Sequence, residues 1–270
     1  MTPFSNIKTP EEIKYYLLNV LTRTGGKTKD QIYLYHYTSI NALAGILLSN
    51  SIWLGSTRTM NDYMEGEFIE SSEGINRVFF ACFSRAEENI AMYKMYAPPP
   101  NGAMLVISYS MAQAIIDNLP VSENKTMCNI VRDNKITPER VAADIYWSAV
   151  AYKALHSDLL KCETVKNKEI ENPIFVQDLA GFVKLYGWEY EREVRLSAVT
   201  ETILSENEKI ALPLPSVVTN NAMIVTSPGF DKQKHQRTLS KLKRRGVTIH
   251  DSEYDGLADI SNKNVFSGVD

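Results

Sequence analysis

The run Trp188-Glu189-Tyr190-Glu191-Arg192-Glu193-Val194-Arg195-Leu196 constrains this chain more than any other stretch, because apolar and charged side chains alternate along it. A strand sends successive side chains to opposite faces, so the spacing predicts Glu189, Glu191, Glu193 and Arg195 on one face and Trp188, Tyr190, Val194 and Leu196 on the other. That is the pattern of a half-buried antiparallel strand, with Arg195 neutralising a glutamate and Trp188 acting as a packing anchor. Three like charges side by side repel, however. The acidic face either meets open water or acts on something cationic, sugar-like or metal-bound. Arg192 breaks the rule by falling among the apolar residues.

Composition sets limits around that strand. The chain has 270 residues, 44% of them hydrophobic, with a net charge of −3, enough for a sizeable core and an expectation of a single domain over 1–270. Residues Met1 to Asn6 lack the basic region and apolar run of a signal peptide, and no apolar stretch reaches the ~18 residues of a membrane span, so the expected location is cytoplasmic, with no membrane partner. Cys82, Cys128 and Cys162 are odd in number and far apart, which argues for reduced thiols and against a zinc site or a disulfide framework. No metal is expected.

Thr9-Pro10-Glu11-Glu12 opens an expected N-terminal helix over 10–21, with a cap, a proline in the first turn and acids at the positive dipole end. Ile32 to Thr38 reads as a strand ending at His36-Tyr37-Thr38, and Ser39 caps a helix whose Ile40, Leu43, Ile46 and Leu47 share a face. Short strands follow at Ile52 to Leu54 and Val78 to Phe83, then a helix from Asn89 to Ala97 broken by Pro98-Pro99-Pro100. Met104 to Tyr109 and Ile145 to Tyr152 read as strands, and residues 120–139 carry little signal. A helix over 172–186 precedes the acidic strand. The tail gives a strand at Ala222 to Thr226, a basic helix over 231–245 and a strand at Val247 to His250. Helices and strands mix without regular βα alternation, and Gly25-Gly26-Lys27-Thr28 lacks the first glycine of a phosphate loop, so the fold class is α+β.

Several short motifs occur in a telling order: Tyr35-His36-Tyr37-Thr38, Asn61-Asp62 with Glu65, Cys82-Phe83-Ser84, Met95-Tyr96-Ala97 with Gly102, then Lys184, Trp188, Glu191, Glu193 and Arg195. The series resembles a bacterial family of unknown function whose members carry YHYT, ND-x-x-E, CFS and W-x-x-E-x-E-x-R in that sequence. The likeness spans residues 32–254. That family is similar in turn to the ADP-ribosyltransferase superfamily, which implies a mixed-sheet core with flanking helices and, here, an α/β C-terminal extension. The resemblance further implies NAD as a substrate, His36, Tyr37, Thr38, Tyr96 and Arg195 as its binding residues, and Glu193, with Glu191 second, as catalytic carboxylate. Tyr93 competes with Tyr96 for the middle aromatic. A role in defence, as in many bacterial relatives, belongs to the same implication.

The residue types suit that chemistry. Cleaving the nicotinamide–ribose bond develops oxocarbenium character, which a nearby carboxylate stabilises; a histidine can hold a ribose hydroxyl and an aromatic ring can stack on nicotinamide. Arg195 would orient the carboxylate or grip a phosphate. Plainer readings stand beside each assignment: His36 satisfying a strand end, Asn61-Asp62 an Asx turn, Cys82, Met92, Met95 and Tyr96 core residues. Two other function classes fit the same residues. One is a Mg²⁺-dependent nuclease or phosphohydrolase using Glu189, Glu191, Glu193 and Asp62; the other is a binding or regulatory protein that keeps the fold alone. The acceptor is open between protein and nucleic acid, the basic helix 231–245 being the one feature that points to the latter.

Overall fold

A computed structural model describes residue 18 and residues 20–21, 28–56, 78–153, 182–205 and 207–255. The expected N-terminal helix, the Asn61-Asp62-Glu65 turn and Cys162 lie outside the described residues, apart from residues 18, 20 and 21 of that helix. The chain divides into two compact units, one formed by Met1–Gly26, Trp53–Cys82 and Leu119–Leu212, the other by Lys27–Ile52, Phe83–Asn118 and Pro213–Asp270. Sheet and helix are mixed in an α+β arrangement.

In the first unit, strands β6 (Lys125–Arg132), β7 (Lys135–Ala149), β10 (Glu193–Thr200) and β11 (Lys209–Pro213) form an antiparallel run ordered β10-β7-β6-β11. Strands β2 (Ser51–Ser56) and β3 (Val78–Ser84) pair antiparallel through Gly55 opposite Phe80. Short β5 (Val121–Ser122) joins β6 through Glu123 and Asn124, and β6 joins β7 through Asp133 and Asn134, all four with φ between 48° and 64°. Two consecutive left-handed residues are what a tight hairpin turn needs, and Asn and Asp tolerate that region. Residues 120–139, which carried little signal, are thus two hairpins. The expected strand Ile145 to Tyr152 is the end of the long β7, followed by a separate β8 (Ala151–Lys153) that pairs parallel with β9 (Val183–Leu185). The last residues of the helix expected over 172–186 form β9 instead, and residues 172–181 are outside the description.

The second unit is built on β1 (Tyr33–Ser39), which pairs antiparallel with β4 (Gly102–Ser108) along its whole length and meets the end of β3 at Tyr35 opposite Ser84. β4 then pairs with β12 (Met223–Thr226), and β12 lies parallel to β13 (Thr248–Asp251). Helix α1 (Ile40–Ser49) follows β1 directly. The Ser39 hydroxyl accepts from the Ala42 N–H at 3.2 Å, and Asn50, at φ 51°, closes the helix in the left-handed region. Ile40, Leu43, Ala44 and Leu47 are its buried face, and each of the three large side chains contributes ~1.5–3 kcal/mol by leaving water. Helix α2 (Ile90–Tyr96) is capped by Asn89, and α3 (Tyr109–Asp117) by Ser108. A short α4 (Ser216–Asn221) precedes β12. The basic segment expected over 231–245 is helical from Gln236 to Arg244 (α5), entered through a turn at residues 232–235; β12-α5-β13 supplies the expected α/β extension.

Gly102, part of the motif series, is required by packing. A Cβ there would stand 1.6 Å from the Ala97 carbonyl oxygen, while its own carbonyl accepts from the Ser227 N–H at 3.0 Å.

Candidate functional site

The acidic strand is where sequence and structure part most clearly. Tyr186–Glu191 form a 3-10 helix and the strand begins only at Glu193. Arg192, the residue that spoiled the alternation, has φ 44° and donates its N–H to the Glu189 carbonyl at 3.1 Å. It is the corner between the two elements. The expected single face of three glutamates therefore does not form: Glu189 is exposed on the 3-10 helix, while Glu191 and Glu193 are 2% and 4% exposed.

Convergence on a cation replaces repulsion. The Lys184 ammonium, from β9, lies 2.7 Å from Glu191 Oε2 and 3.0 Å from Glu193 Oε2. Arg195, two residues along β10 from Glu193, donates from Nε to Glu193 Oε1 at 2.8 Å and from Nη2 to Oε2 at 3.2 Å. Two cations thus face two carboxylates in a buried quartet. Trp188 covers the Lys184 ammonium at 5.1 Å and Phe80 stacks under the Arg195 guanidinium at 4.6 Å. Tyr152, beside Lys184 in the β8–β9 register, accepts the Glu193 N–H at 2.7 Å, and the Cys82 thiol is hydrogen-bonded to the Glu193 carboxylate.

Electrostatics follow from this packing. Burial alone would push the Glu193 carboxyl up, but the charges of Arg195 and Lys184, with the Arg195 and Cys82 hydrogen bonds, hold it well below the usual carboxylate range. Burial likewise pulls the Lys184 ammonium down, and Glu193 and Glu191 outweigh it, raising the group above the ordinary lysine value. Burial and the Glu193 charge push the Cys82 thiol well up, so it is a weak nucleophile.

The polar face of β10 continues beyond the quartet. The register sets Arg195 opposite Ser148 and Ser197 opposite Tyr146, so Glu193, Arg195, Ser197, Ser148 and Tyr146 share one side, with Val194, Leu196 and Ala198 on the other. Both sides are buried. The alternation was real, but its polar face is an interior one. The Ser148 and Ser197 hydroxyls have no hydrogen-bond partner among the described residues although both are buried. Neither serine stood out in the sequence; only their register with Arg195 marks them.

The remaining candidates belong to the second unit. Alternation along β1 puts His36 and Thr38 on one face and Tyr35 and Tyr37 on the other. His36 packs against Phe83, ring centroids 5.1 Å apart, next to the Tyr35–Ser84 pair of β1 and β3, and is half-buried, as is Thr38. Tyr37 is buried, edge-on to Tyr93 at 5.1 Å, its hydroxyl accepting from the Asn89 N–H at 3.2 Å and donating to the Ala86 carbonyl at 3.3 Å. It braces residues 86–89 and the start of α2. Of the two candidate middle aromatics, Tyr93 is buried against Tyr37 and Tyr96, the last residue of α2, is half-buried. Glu88, on the same loop, accepts from the Ser252 hydroxyl at 2.7 Å. Among the described residues no three His, Cys, Asp or Glu side chains are grouped as a metal site needs, and Asp62, one of the four ligands of the metal alternative, lies outside them.

No family model and no curated protein matches the chain. Among solved structures it is similar to Thermus sp. 2.9 DarT in complex with NAD+, at 11% identity over 83% of this chain and 96% of that one, with a TM-score of 0.33. A TM-score at that level leaves a shared fold unestablished. No described helix is long and apolar enough to cross a membrane.

Proposed function

We propose that this protein consumes NAD, breaking the nicotinamide–ribose bond and passing ADP-ribose to an acceptor nucleophile or to water. The observation that carries the reading is the buried polar face of β10, where an ionised Glu193 continues into two serine hydroxyls, Ser148 and Ser197, with hydrogen-bonding capacity left over. Spare buried capacity suits a hydroxyl-rich ligand. The motif series from Tyr35 to Arg195 supports NAD as that ligand.

The roles follow from the chemistry. When the C1′–N bond breaks, its electron pair leaves with neutral nicotinamide and positive charge spreads over C1′ and the ring oxygen of the ribose. A carboxylate in low-dielectric surroundings stabilises that charge strongly. Glu193, held ionised by Lys184 and Arg195, is a poor proton acceptor, so its part is electrostatic; the acceptor's proton goes to another base or to solvent. Arg195 orients the Glu193 carboxylate, and Lys184 joins Glu191 to it. His36 and Thr38, on the less buried face of β1, are the dinucleotide-binding residues, Tyr37 holds the adjoining loop, and Tyr96 is the ring for nicotinamide.

The experiment is calorimetric titration with NAD of wild type, His36→Ala and Glu193→Gln, followed by chromatographic detection of released nicotinamide. Wild type binds and releases nicotinamide, His36→Ala loses binding, and Glu193→Gln binds without release. Absence of binding at millimolar NAD, or wild-type release by Glu193→Gln, overturns the reading.

A further inference from the structure

Arg237, Lys241 and Arg244 follow one another at spacings of four and three residues on α5, which at 3.6 residues per turn sets them in one row along the helix. Lys234 lies two residues ahead of the helix, in the turn that enters it. All four side chains are exposed. Leu242 turns away from them and is fully buried, and the Thr238 hydroxyl bonds Asn41 of α1 at 3.3 Å, so packing on α1 holds the row outward. Helix α5 contains no acidic residue, and none of the four cations is in an ion pair among the described residues. Neighbouring charges are otherwise engaged: Lys232 holds Asp251 at 2.6 Å, and Arg245 bonds Asn50.

We propose that this row is a docking strip for the phosphate backbone of a nucleic acid. Its shape selects a linear polyanion: Arg237 to Arg244 spans ~10 Å along the axis and is one side chain wide. An anionic bilayer fits less well. The apolar side of α5 is spent on the interior, leaving nothing to enter lipid, and carboxylates gather at the helix's entry, with Asp251 on Lys232, Asp231 Oδ1 on the Lys234 N–H at 2.8 Å and Asp255 Oδ1 on the Gly229 N–H at 3.2 Å. Those acids repel a broad anionic sheet and leave room for a narrow strand. The helix carries no aromatic side chain for base stacking, so the contacts are to phosphates and indifferent to sequence. In a chain of net charge −3, such binding depends steeply on salt.

The test is fluorescence anisotropy of a labelled oligonucleotide, single-stranded and duplex, against full-length protein from about 50 to about 200 mM KCl. Three phosphate contacts predict a slope of log K on log salt of roughly −2.7 for duplex and roughly −2 for single strand. The Arg237→Glu, Lys241→Glu, Arg244→Glu variant loses affinity at least tenfold and its slope flattens toward zero, and Lys241→Gln with Arg244→Gln gives an intermediate loss should the triple variant fold poorly. Unchanged affinity and slope in either variant, or no oligonucleotide binding at the lowest salt, overturns the proposal. So does binding to phosphatidylserine vesicles in preference to oligonucleotide, which assigns the row to a membrane surface.

Discussion

Removing the Lys184 ammonium tests the buried quartet most directly. In Lys184→Met the stem is replaced by apolar volume while Glu191 loses the cation 2.7 Å away and Glu193 one of its two. At an effective dielectric of 20 the gross attraction at these distances is about 6 kcal/mol per pair, and the cost of burying the ions offsets much of it. What remains when one partner goes is about 3–5 kcal/mol of destabilisation, because a carboxylate is left buried and uncompensated. For a chain of this size that lowers Tm by roughly 10 °C. The effect depends on pH with a definite sign. Glu193 is depressed in the folded state, so its contribution is present above the unfolded carboxylate value near 4.5 and fades as pH falls through the folded value. Lys184 is raised, so its contribution is present below 10.5 and fades above it. Urea denaturation of wild type and variant should therefore show a full gap at pH 7–9 that narrows on acidification as the Glu193 contribution fades, and Lys184→Met with Glu191→Leu should recover part of the loss. A variant within ~1 kcal/mol of wild type at neutral pH, or a gap independent of pH, would refute a buried, mutually neutralised cluster.

Other consequences are local. Ser39→Ala removes the oxygen that accepts the Ala42 N–H and should cost ~1 kcal/mol by urea denaturation, whereas Ser39→Asp should cost little. Arg192→Gly relieves a left-handed backbone at φ 44° and should leave stability unchanged or raise it by up to ~1 kcal/mol, since the conformational relief exceeds glycine's added chain entropy. Gly102→Ala sets a methyl group 1.6 Å from the Ala97 carbonyl, so the turn after α2 must move; a loss of ~1–3 kcal/mol is expected, with proteolysis appearing first near Pro98 to Asn101.

Local signals in the sequence were read well where a single element answered to them. The apolar spacing of α1 and its Ser39 cap, the β1 strand ending in His36-Tyr37-Thr38 and the helix over Asn89 to Ala97 all depend on neighbours within a turn or two. The hairpins around β6 were missed because their turns use Glu123-Asn124 and Asp133-Asn134, left-handed pairs without glycine. The stretch 188–196 misled because period-2 alternation does not report a corner: Arg192 was the one misfit, and it is the corner. Exposure was hidden for a different reason. Whether the polar side of β10 faces water depends on Lys184, Phe80 and Tyr152, which come from distant segments. The same holds for Ser148 and Ser197, whose place beside Arg195 is a matter of register.

The quartet also separates chemistry from stability at Glu193. Glu193→Gln and Glu191→Gln each remove one negative charge from a cluster of two cations and two carboxylates, so both leave one net positive charge uncompensated in the cluster. Each should lose about 3–5 kcal/mol at pH 7, and the Glu193→Gln loss should shrink below the unfolded carboxylate value near 4.5, where the Glu193 contribution begins to fade. Stability therefore does not distinguish the two variants. Under the proposed NAD chemistry catalysis does, because of the two only Glu193 lies on the polar face of β10 with Ser148 and Ser197. Nicotinamide release measured at a temperature where both variants are folded should fall at least a hundredfold in Glu193→Gln, with NAD affinity kept, and by less than tenfold in Glu191→Gln. Equal losses in the two would mean that the quartet acts only as a structural clamp, and a larger loss in Glu191→Gln would move the charge-stabilising role from the head of β10 to the end of the 3-10 helix.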